Sequence, residues 1–135
     1  MLFRSMVDSK RIEKAINEQV TAVTSDIVDG YYESQGEVDE EVYNATDSVW
    51  QDLGCAYGRF CDISAGEVVQ SRTMINALSV LEYCTSEGCE ETDSGLWEGL
   101  ENPFAVILCM AYCALENTVR ARIVETEAYE NLSEY

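Results

Sequence analysis

The sequence of 135 residues contains no histidine, so it lacks the commonest general base and transition-metal ligand of proteins. Its six cysteines include no CxxC pair, although a four-cysteine zinc site normally requires two such pairs. Neither standard form of a glycine-rich phosphate loop is present. No catalytic pair stands out among the 26 acidic residues. We therefore expect a protein that is not an enzyme and that uses no cofactor and no metal ion.

Positive charge is scarce, since 8 Lys and Arg oppose 26 Asp and Glu and leave a net charge of -18. Nucleic-acid phosphates and anionic membranes both bind cationic surfaces, so we expect neither as a direct partner. A basic protein remains as a partner. The competing interpretation is that the charge serves solubility or adaptation to high salt, but solubility of a small domain needs a net charge of only about 2–8.

Long hydrophobic runs are also missing. The longest covers residues 103–115, which is shorter than the ~20 residues that cross a bilayer, and the amino-terminal residues lack the apolar core of a signal peptide. We therefore expect a cytoplasmic protein, in the host cytoplasm if it is viral, with reduced thiols. Four cysteines in apolar surroundings are expected to pack as small buried hydrophobes: Cys55, Cys84, Cys109 and Cys113.

Apolar material is nevertheless sufficient for a core, because 47% of the residues are hydrophobic and the length suits one domain covering residues 1–135. Two stretches repeat apolar residues every three or four positions, which predicts two amphipathic helices. The first, capped by Asp8 or Ser9, carries Ile12, Ile16, Val20, Val23, Ile27 and Tyr31. The second carries Val38, Val42, Ala45, Val49, Leu53, Ala56 and Phe60.

A third helix is predicted to begin at Ser64, because Ser64-Ala-Gly-Glu67 has the form of a capping box, and to run to about Thr85. Its inward residues would be Val68, Ile75, Leu78 and Leu81. Residues 86–101 are acidic, contain three glycines and show no helical period, which predicts a loop. We expect Trp97 and Leu100 to attach this loop to the core.

The fourth helix is expected to start at Asn102-Pro103, where Asn is a favourable cap and Pro a favourable first residue. It would run to near Tyr135 and is apolar on nearly every side through Leu115. A helix buried on most sides needs the other helices around it. The sequence therefore predicts an all-α, four-helix bundle-like domain with this last helix at its centre.

The placement of charge is more informative than its amount. Residues 15–58 contain ten acidic residues and no Lys or Arg, and residues 73–119 contain eight and again none. Ordinary surfaces mix both signs. Carboxylates four residues apart on a helix are separated by roughly 6 Å along its axis, which is of the same order as the phosphate separation along a DNA strand. Rows of outward carboxylates could therefore imitate DNA.

The predicted partner-binding carboxylates lie on the second helix, in the acidic loop and on the last helix. Glu40 and Asp47 point away from the core, and three C-terminal glutamates are spaced i, i+3 and i+7. The complete set is Glu37, Asp39, Glu40, Glu41, Asp47, Asp52, Glu90, Glu91, Asp93, Glu127, Glu130 and Glu134. We expect these side chains to face water rather than cations of the same chain.

Three local patterns resemble a known family: residues 86–88 (Ser-Glu-Gly), residues 93–96 (Asp-Ser-Gly-Leu) and the acidic, tyrosine-bearing run of residues 125–135. They are similar to phage DNA-mimic anti-restriction proteins of the overcome-classical-restriction type, over less than half of the chain. The resemblance implies a small acidic helical protein, often a homodimer, that fills the DNA site of a restriction enzyme. Acidic phage anti-CRISPR proteins are similar in size and charge, which implies a CRISPR complex as an alternative target.

Two functions are therefore expected. The first is a DNA-mimic inhibitor that occupies the DNA-binding groove of a nuclease complex or another basic DNA-binding protein. The alternative is an acidic immunity or adaptor protein that caps a basic partner through a more localised patch. The two differ in which carboxylates matter, because a localised patch would leave the C-terminal glutamates free to vary.

Overall fold

The computed structural model describes residues 8–55, 60–91 and 97–134, apart from the side chain of Cys61. Within these residues the chain forms five helices and no strand. The helices are α1 (Ser9–Val28), α2 (Gln35–Asp52), α3 (Ser71–Ser86), α4 (Pro103–Val124) and the short α5 (Glu127–Glu130), and a 3-10 turn covers Phe60–Asp62. The predicted all-α architecture is confirmed.

Helix α4 lies at the centre of the bundle. It packs against α1, α2 and α3, and α1 in turn packs against both α2 and α3. Leu108, Leu115 and Ile123 of α4 are fully buried. Apolar side chains cover nearly the full circumference of α4, so neighbours on several sides are needed to remove them from water. The Asn102 side chain accepts from Phe104 N at 2.8 Å, which confirms the predicted cap.

Helix α4 is also long and apolar enough to cross a membrane, judged by length and composition alone. An 18-residue window within it has a mean hydropathy of 1.3, and half of that window is buried inside the bundle. One such helix is weak evidence for a membrane span, because the core helix of a bundle has the same length and composition. Its contacts with α1, α2 and α3 account for the buried half of this window.

The predicted start of α3 at Ser64 is wrong, because α3 begins at Ser71. Residues 64–67 form a turn in which Glu67 N donates to Ser64 O. The fully buried Asn102 explains the difference, since its Nδ2 donates to the carbonyl oxygens of Ser64 and Glu67 at 2.6 and 2.7 Å. In a helix those oxygens would accept from residues four positions later. Val68, predicted to face the core, is 76% exposed.

The same sequence pattern does start a helix at α2, where Ser34 is the N-cap residue. The Ser34 hydroxyl accepts from Glu37 N at 3.3 Å, and the Glu37 carboxylate accepts from Glu33 N at 2.8 Å. Residues 34–37 and residues 64–67 share the sequence pattern S-x-G-E, so the pattern alone does not distinguish them. Only the first is followed by a helical apolar stripe that the bundle can bury.

Helices α1, α2 and α3 are each followed, two residues after their last residue, by a glycine with positive φ. These glycines are Gly30, Gly54 and Gly88. At the end of α2, Gly54 N donates to Gln51 O and Cys55 N donates to Trp50 O. This pair of bonds is a Schellman motif, which satisfies the last free carbonyls of a helix. It ends α2 at Asp52, so the predicted continuation to Phe60 is wrong.

The last helix is also shorter than predicted. It ends at Val124 rather than near Tyr135, and Thr126 caps the separate helix α5 by accepting from Tyr129 N at 3.3 Å. Helix α5 packs against α1 and α4. The chain then returns to the start of α2, where Gln35 N donates to Ser133 O at 2.7 Å.

Other sequence expectations have mixed outcomes. Tyr31 and Leu78 were expected in the core but are 73% and 44% exposed. Leu100 packs against the core, as predicted. The four cysteines that were expected to be buried are buried: Cys55, Cys84, Cys109 and Cys113.

Replacing Asn102 by Asp should destabilise the fold strongly. The carboxylate keeps the oxygen that caps α4, but it loses both donors to residues 64 and 67 and places a buried negative charge against two carbonyl oxygens. Each buried polar group left unsatisfied costs about 1–3 kcal/mol. We expect the free energy of unfolding at pH 7, measured with urea, to fall by about 3 kcal/mol or more.

Asn117→Asp is the matched control, because Asn117 Nδ2 donates to Glu90 O in an exposed hydrogen bond. An equal loss in both variants would contradict the role given to Asn102.

Gly54→Ala and Gly30→Ala should differ in cost. Both place an L side chain at positive φ, which costs about 1–2 kcal/mol. At Gly54 the new Cβ would also lie 2.8 Å from Nδ2 of Asn76, whereas at Gly30 it meets nothing within 4 Å. We expect Gly54→Ala to lower the melting temperature more than Gly30→Ala. Equal shifts would show that Asn76 moves aside without cost.

Candidate partner-binding surface

Carboxylates from three parts of the chain meet at one end of the bundle. Residues 34 and 133 form an isolated β-bridge, and Gln35 Nε2 donates to Tyr129 O at 3.2 Å. These contacts place the C-terminal segment beside the start of α2 and the turn that follows α1. We call the resulting surface the acidic pole. Its eleven carboxylates are Asp26, Asp29, Glu33, Glu37, Asp39, Glu40, Glu41, Glu125, Glu127, Glu130 and Glu134.

The carboxylates of the acidic pole contribute to raised pKa values of two nearby tyrosines. Burial, followed by the charges of Glu41 and Asp26, raises the pKa of Tyr32. Burial, followed by a hydrogen bond to Asp39 and the charge of Asp39, raises the pKa of Tyr129. In both cases nearby carboxylates disfavour a second negative charge.

Asp39 is engaged within the chain, contrary to the expectation that the predicted carboxylates face only water. Tyr129 OH donates to its Oδ1 at 3.0 Å, and the Arg120 guanidinium lies 3.9 Å from the same oxygen. Arg120 also lies 3.9 Å from Glu116. Among the described residues, Arg120 makes the ion pair that reaches the acidic pole. Asp39 therefore holds the C-terminal segment in place as well as contributing charge.

The remaining predicted carboxylates of α2 differ in their exposure. Glu40 is exposed, and Glu37 is exposed although one of its oxygens accepts from Glu33 N. Glu41 and Asp47 are half-buried; Asp47 accepts from a glutamine side chain one helical turn away at 2.7 Å. Asp52 is exposed at the far end of α2.

The C-terminal glutamates do not form the predicted row along one helix. Glu127 and Glu130 lie on α5, whereas Glu134 lies beyond it, after the chain has turned back towards α2. The predicted i, i+3, i+7 row is therefore wrong. All three side chains are nevertheless exposed, and the turn brings them next to the carboxylates of α2.

The acidic loop begins on the outward side of α4. Asn117 Nδ2 donates to Glu90 O at 2.6 Å, which places Glu90 and Glu91 near Glu116. Asp93, also predicted to bind a partner, lies outside the described residues. Sequence reasoning missed Glu116, because it stands alone after a long apolar run and joins Asp39 only through Arg120.

The cations of α1 lie at the opposite end from the acidic pole. Arg11 donates to the backbone oxygen of Asp52 at 2.9 Å, so the basic start of α1 is beside the end of α2. Lys10 and Lys14 are exposed on the same helix. Asp52, though part of the predicted acidic row, therefore lies in a partly basic environment.

Two exposed apolar side chains lie within the acidic pole. Val28 at the end of α1 is 72% exposed, and Tyr31 in the following turn is 73% exposed. Aromatic residues are enriched in protein–protein interfaces. Sequence reasoning missed this feature for Tyr31, because its spacing continues the buried stripe of α1 after the helix itself has ended.

An aromatic cluster lies between α2 and α4. The Tyr112 ring centroid is 5.3 Å from Trp50, 6.1 Å from Phe60 and 6.2 Å from Tyr43. The Tyr112 hydroxyl is buried and makes no well-formed hydrogen bond, although the Tyr43 side chain is its polar neighbour. Burial, followed by its neighbours Tyr43 and Asp47, raises the pKa of Tyr112.

Tyr112→Phe should not destabilise the protein at pH 7 and should make it more resistant to alkali. The substitution removes a buried hydroxyl that makes no well-formed hydrogen bond, so we expect a gain of up to about 1 kcal/mol. A tyrosine whose pKa is raised on folding stabilises the fold below its ordinary value of 10.0 and loses that contribution as the pH rises. Thermal unfolding at pH 7 and pH 11 tests this, with Tyr31→Phe as the control, because the Tyr31 side chain is 73% exposed and lies outside the cluster. A loss above about 1 kcal/mol at pH 7 would contradict the absence of a well-formed hydrogen bond.

No protein-family model matches the chain, and no curated protein or solved structure matches it either.

Proposed function

We propose that the chain is a DNA-mimic inhibitor that occupies the DNA-binding groove of a restriction enzyme, a CRISPR complex or another DNA-handling protein. The contact surface is the acidic pole together with the outward face of α2. The observation that supports this most is the assembly of eleven carboxylates from three chain segments. Eight of them are exposed, at residues 29, 33, 37, 40, 125, 127, 130 and 134.

The density of charge on α2 is comparable with that of one DNA strand. Its 18 residues extend about 27 Å at 1.5 Å per residue, over which a strand carries roughly eight phosphates. Helix α2 carries six carboxylates: Glu37, Asp39, Glu40, Glu41, Asp47 and Asp52. One of these carboxylates is compensated, since Asp39 pairs with Arg120, and Arg11 lies near Asp52, to whose backbone oxygen it donates. The C-terminal glutamates beside the start of α2 supply further charge.

A groove that evolved to bind a polyanion attracts such a surface electrostatically. The interaction should weaken with salt, because ion release accompanies the pairing of opposite charges. Occupation of the groove then excludes DNA, so inhibition requires no chemistry by this chain. This mechanism is consistent with an expected role in the cytoplasm, where the DNA-handling targets act.

Charge reversal at the acidic pole should weaken inhibition at least tenfold. The variant Glu37→Lys/Glu40→Lys/Glu130→Lys is compared with Glu18→Lys/Glu82→Lys/Glu98→Lys, which changes the net charge equally at exposed residues outside the pole. DNA binding by a restriction enzyme and by a CRISPR complex is measured by gel shift at several salt concentrations. We expect the pole variant to inhibit at least tenfold less well, a difference of about 1.4 kcal/mol, and the control to retain most inhibition.

Duplex DNA should compete with the wild-type protein, and added salt should weaken its binding steeply. Equal loss in both triple variants would show that only net charge matters. Binding that is insensitive to salt and is not competed by DNA would contradict DNA mimicry.

The second candidate is an immunity or adaptor protein that caps a basic partner through a localised patch. The exposed Val28 and Tyr31 support it, because they add apolar contact area within the acidic pole. Under this function Tyr31→Ala should abolish binding, whereas a DNA groove would tolerate it within about threefold, which is less than 1 kcal/mol. Reversal of Glu40, Glu41 and Asp47 should then abolish binding while the C-terminal glutamates can be altered freely.

A further inference from the structure

Two cysteines occupy the ends of the Schellman motif that closes α3. Gly88, with φ of 90°, donates through its N–H to Thr85 O at 3.0 Å, and Cys89 N donates to Cys84 O at 2.9 Å. In this motif one hydrogen bond joins residues five positions apart, and the side chains of those two residues commonly contact each other. Here those residues are Cys84 and Cys89, and both carry free thiols.

The same motif at the other helix ends does not pair two thiols. At the end of α1 the corresponding bond joins Asp26 and Tyr31, and at the end of α2 it joins Trp50 and Cys55. The pairing at the end of α3 therefore follows from the residues at these two positions, in a backbone geometry that the chain uses three times.

The backbone geometry suits a disulfide. A disulfide needs Cα atoms about 4.4–6.8 Å apart, and a direct backbone hydrogen bond between Cys84 and Cys89 keeps them close to that range. The two thiols also interact electrostatically. Burial raises the pKa of Cys84 to about 11, and the neighbouring Cys89 thiol contributes to that increase.

The two thiols differ in access. Cys84 is fully buried, whereas Cys89 is partly exposed at the start of the acidic loop. A small oxidant from solution can therefore reach Cys89, and Cys84 lies behind it. This arrangement of an accessible thiol with a second thiol beside it is typical of redox-sensitive cysteine pairs.

We infer that Cys84 and Cys89 form a reversible intramolecular disulfide, made by exchange with a low-molecular-weight disulfide such as oxidised glutathione. The Cys89 thiolate attacks one sulfur of oxidised glutathione, forms a mixed disulfide and releases one glutathione thiolate. The Cys84 thiolate then attacks the Cys89 sulfur and releases the second glutathione. The protein dithiol loses two electrons to oxidised glutathione, and its two protons pass to the two glutathione thiolates.

The disulfide would act on the acidic loop. Cys89 directly precedes Glu90, whose carbonyl Asn117 holds on α4, and Glu87 on the other side pairs with Arg122 at 3.3 Å. Oxidation would tie Cys89, near the start of the loop, covalently to α3. Disulfides in reducing compartments are usually transient and redox-sensing, which fits a bond between a buried and an accessible thiol.

The test uses the reduced, full-length protein in oxidised glutathione, followed by alkylation of the remaining thiols and peptide mass mapping. We expect the loss of two of the six thiols, a peptide linked through Cys84 and Cys89, and full reversal by reduced glutathione. The second step needs the Cys84 thiolate, so its rate should rise with pH across the range 7 to 9, about tenfold for each unit.

Single variants separate the two steps. Cys84→Ala should stop at a stable mixed disulfide on Cys89, and Cys89→Ala should leave Cys84 unmodified. Cys55→Ala is the control, since Cys55 is buried at the end of α2 and should not affect the linked peptide. If Cys84→Ala does not fold, the wild-type peptide map decides alone. Independent alkylation of Cys84 and Cys89 without a linked peptide, or linkage to other cysteines, would overturn the inference.

Discussion

The enclosure of α4 is the constraint on which the rest of the structure depends. Its apolar side chains point in nearly every direction, so α1, α2 and α3 must pack around it. Each outer helix then has one buried stripe, and its polar residues face outwards. Helix α4 carries two arginines near its end, and both are paired within the chain, Arg120 with Asp39 and Arg122 with Glu87. The outer helices and the C-terminal segment therefore carry the uncompensated negative charge.

Negative charge concentrated in this way opposes folding through self-repulsion. The acidic pole limits that cost in two ways: most of its carboxylates remain in water, and Arg120 lies between Asp39 and Glu116. Under the proposed function, a cationic partner surface would relieve the remaining repulsion. A partner that binds only the folded state would also stabilise it, so the charge that weakens the isolated protein would strengthen the proposed complex.

The connections between helices rely on a small number of buried or special residues. Asn102 joins the start of α4 to the turn at residues 64–67, because its Nδ2 donates to two carbonyl oxygens of the turn and its Oδ1 accepts from two backbone N–H groups of α4. Schellman motifs at Gly30, Gly54 and Gly88 end three helices and turn the chain back towards the core. The last of these also brings Cys84 and Cys89 together. Local backbone geometry thus positions a pair of thiols beside the acidic loop.

Hydrophobic periodicity and the Asn-Pro start by themselves determined the all-α architecture, the central place of α4 and the burial of four cysteines, because these depend on which side chains avoid water. Only the tertiary structure decided where helices begin and end. Asn102 captures the carbonyls of Ser64 and Glu67, so a capping-box pattern there makes a turn, and its counterpart at Ser34 starts α2. The sequence also revealed how many acidic residues there are and where they lie along the chain. Their grouping into one pole was not apparent from it, because it depends on the return of residues 125–134 to the start of α2.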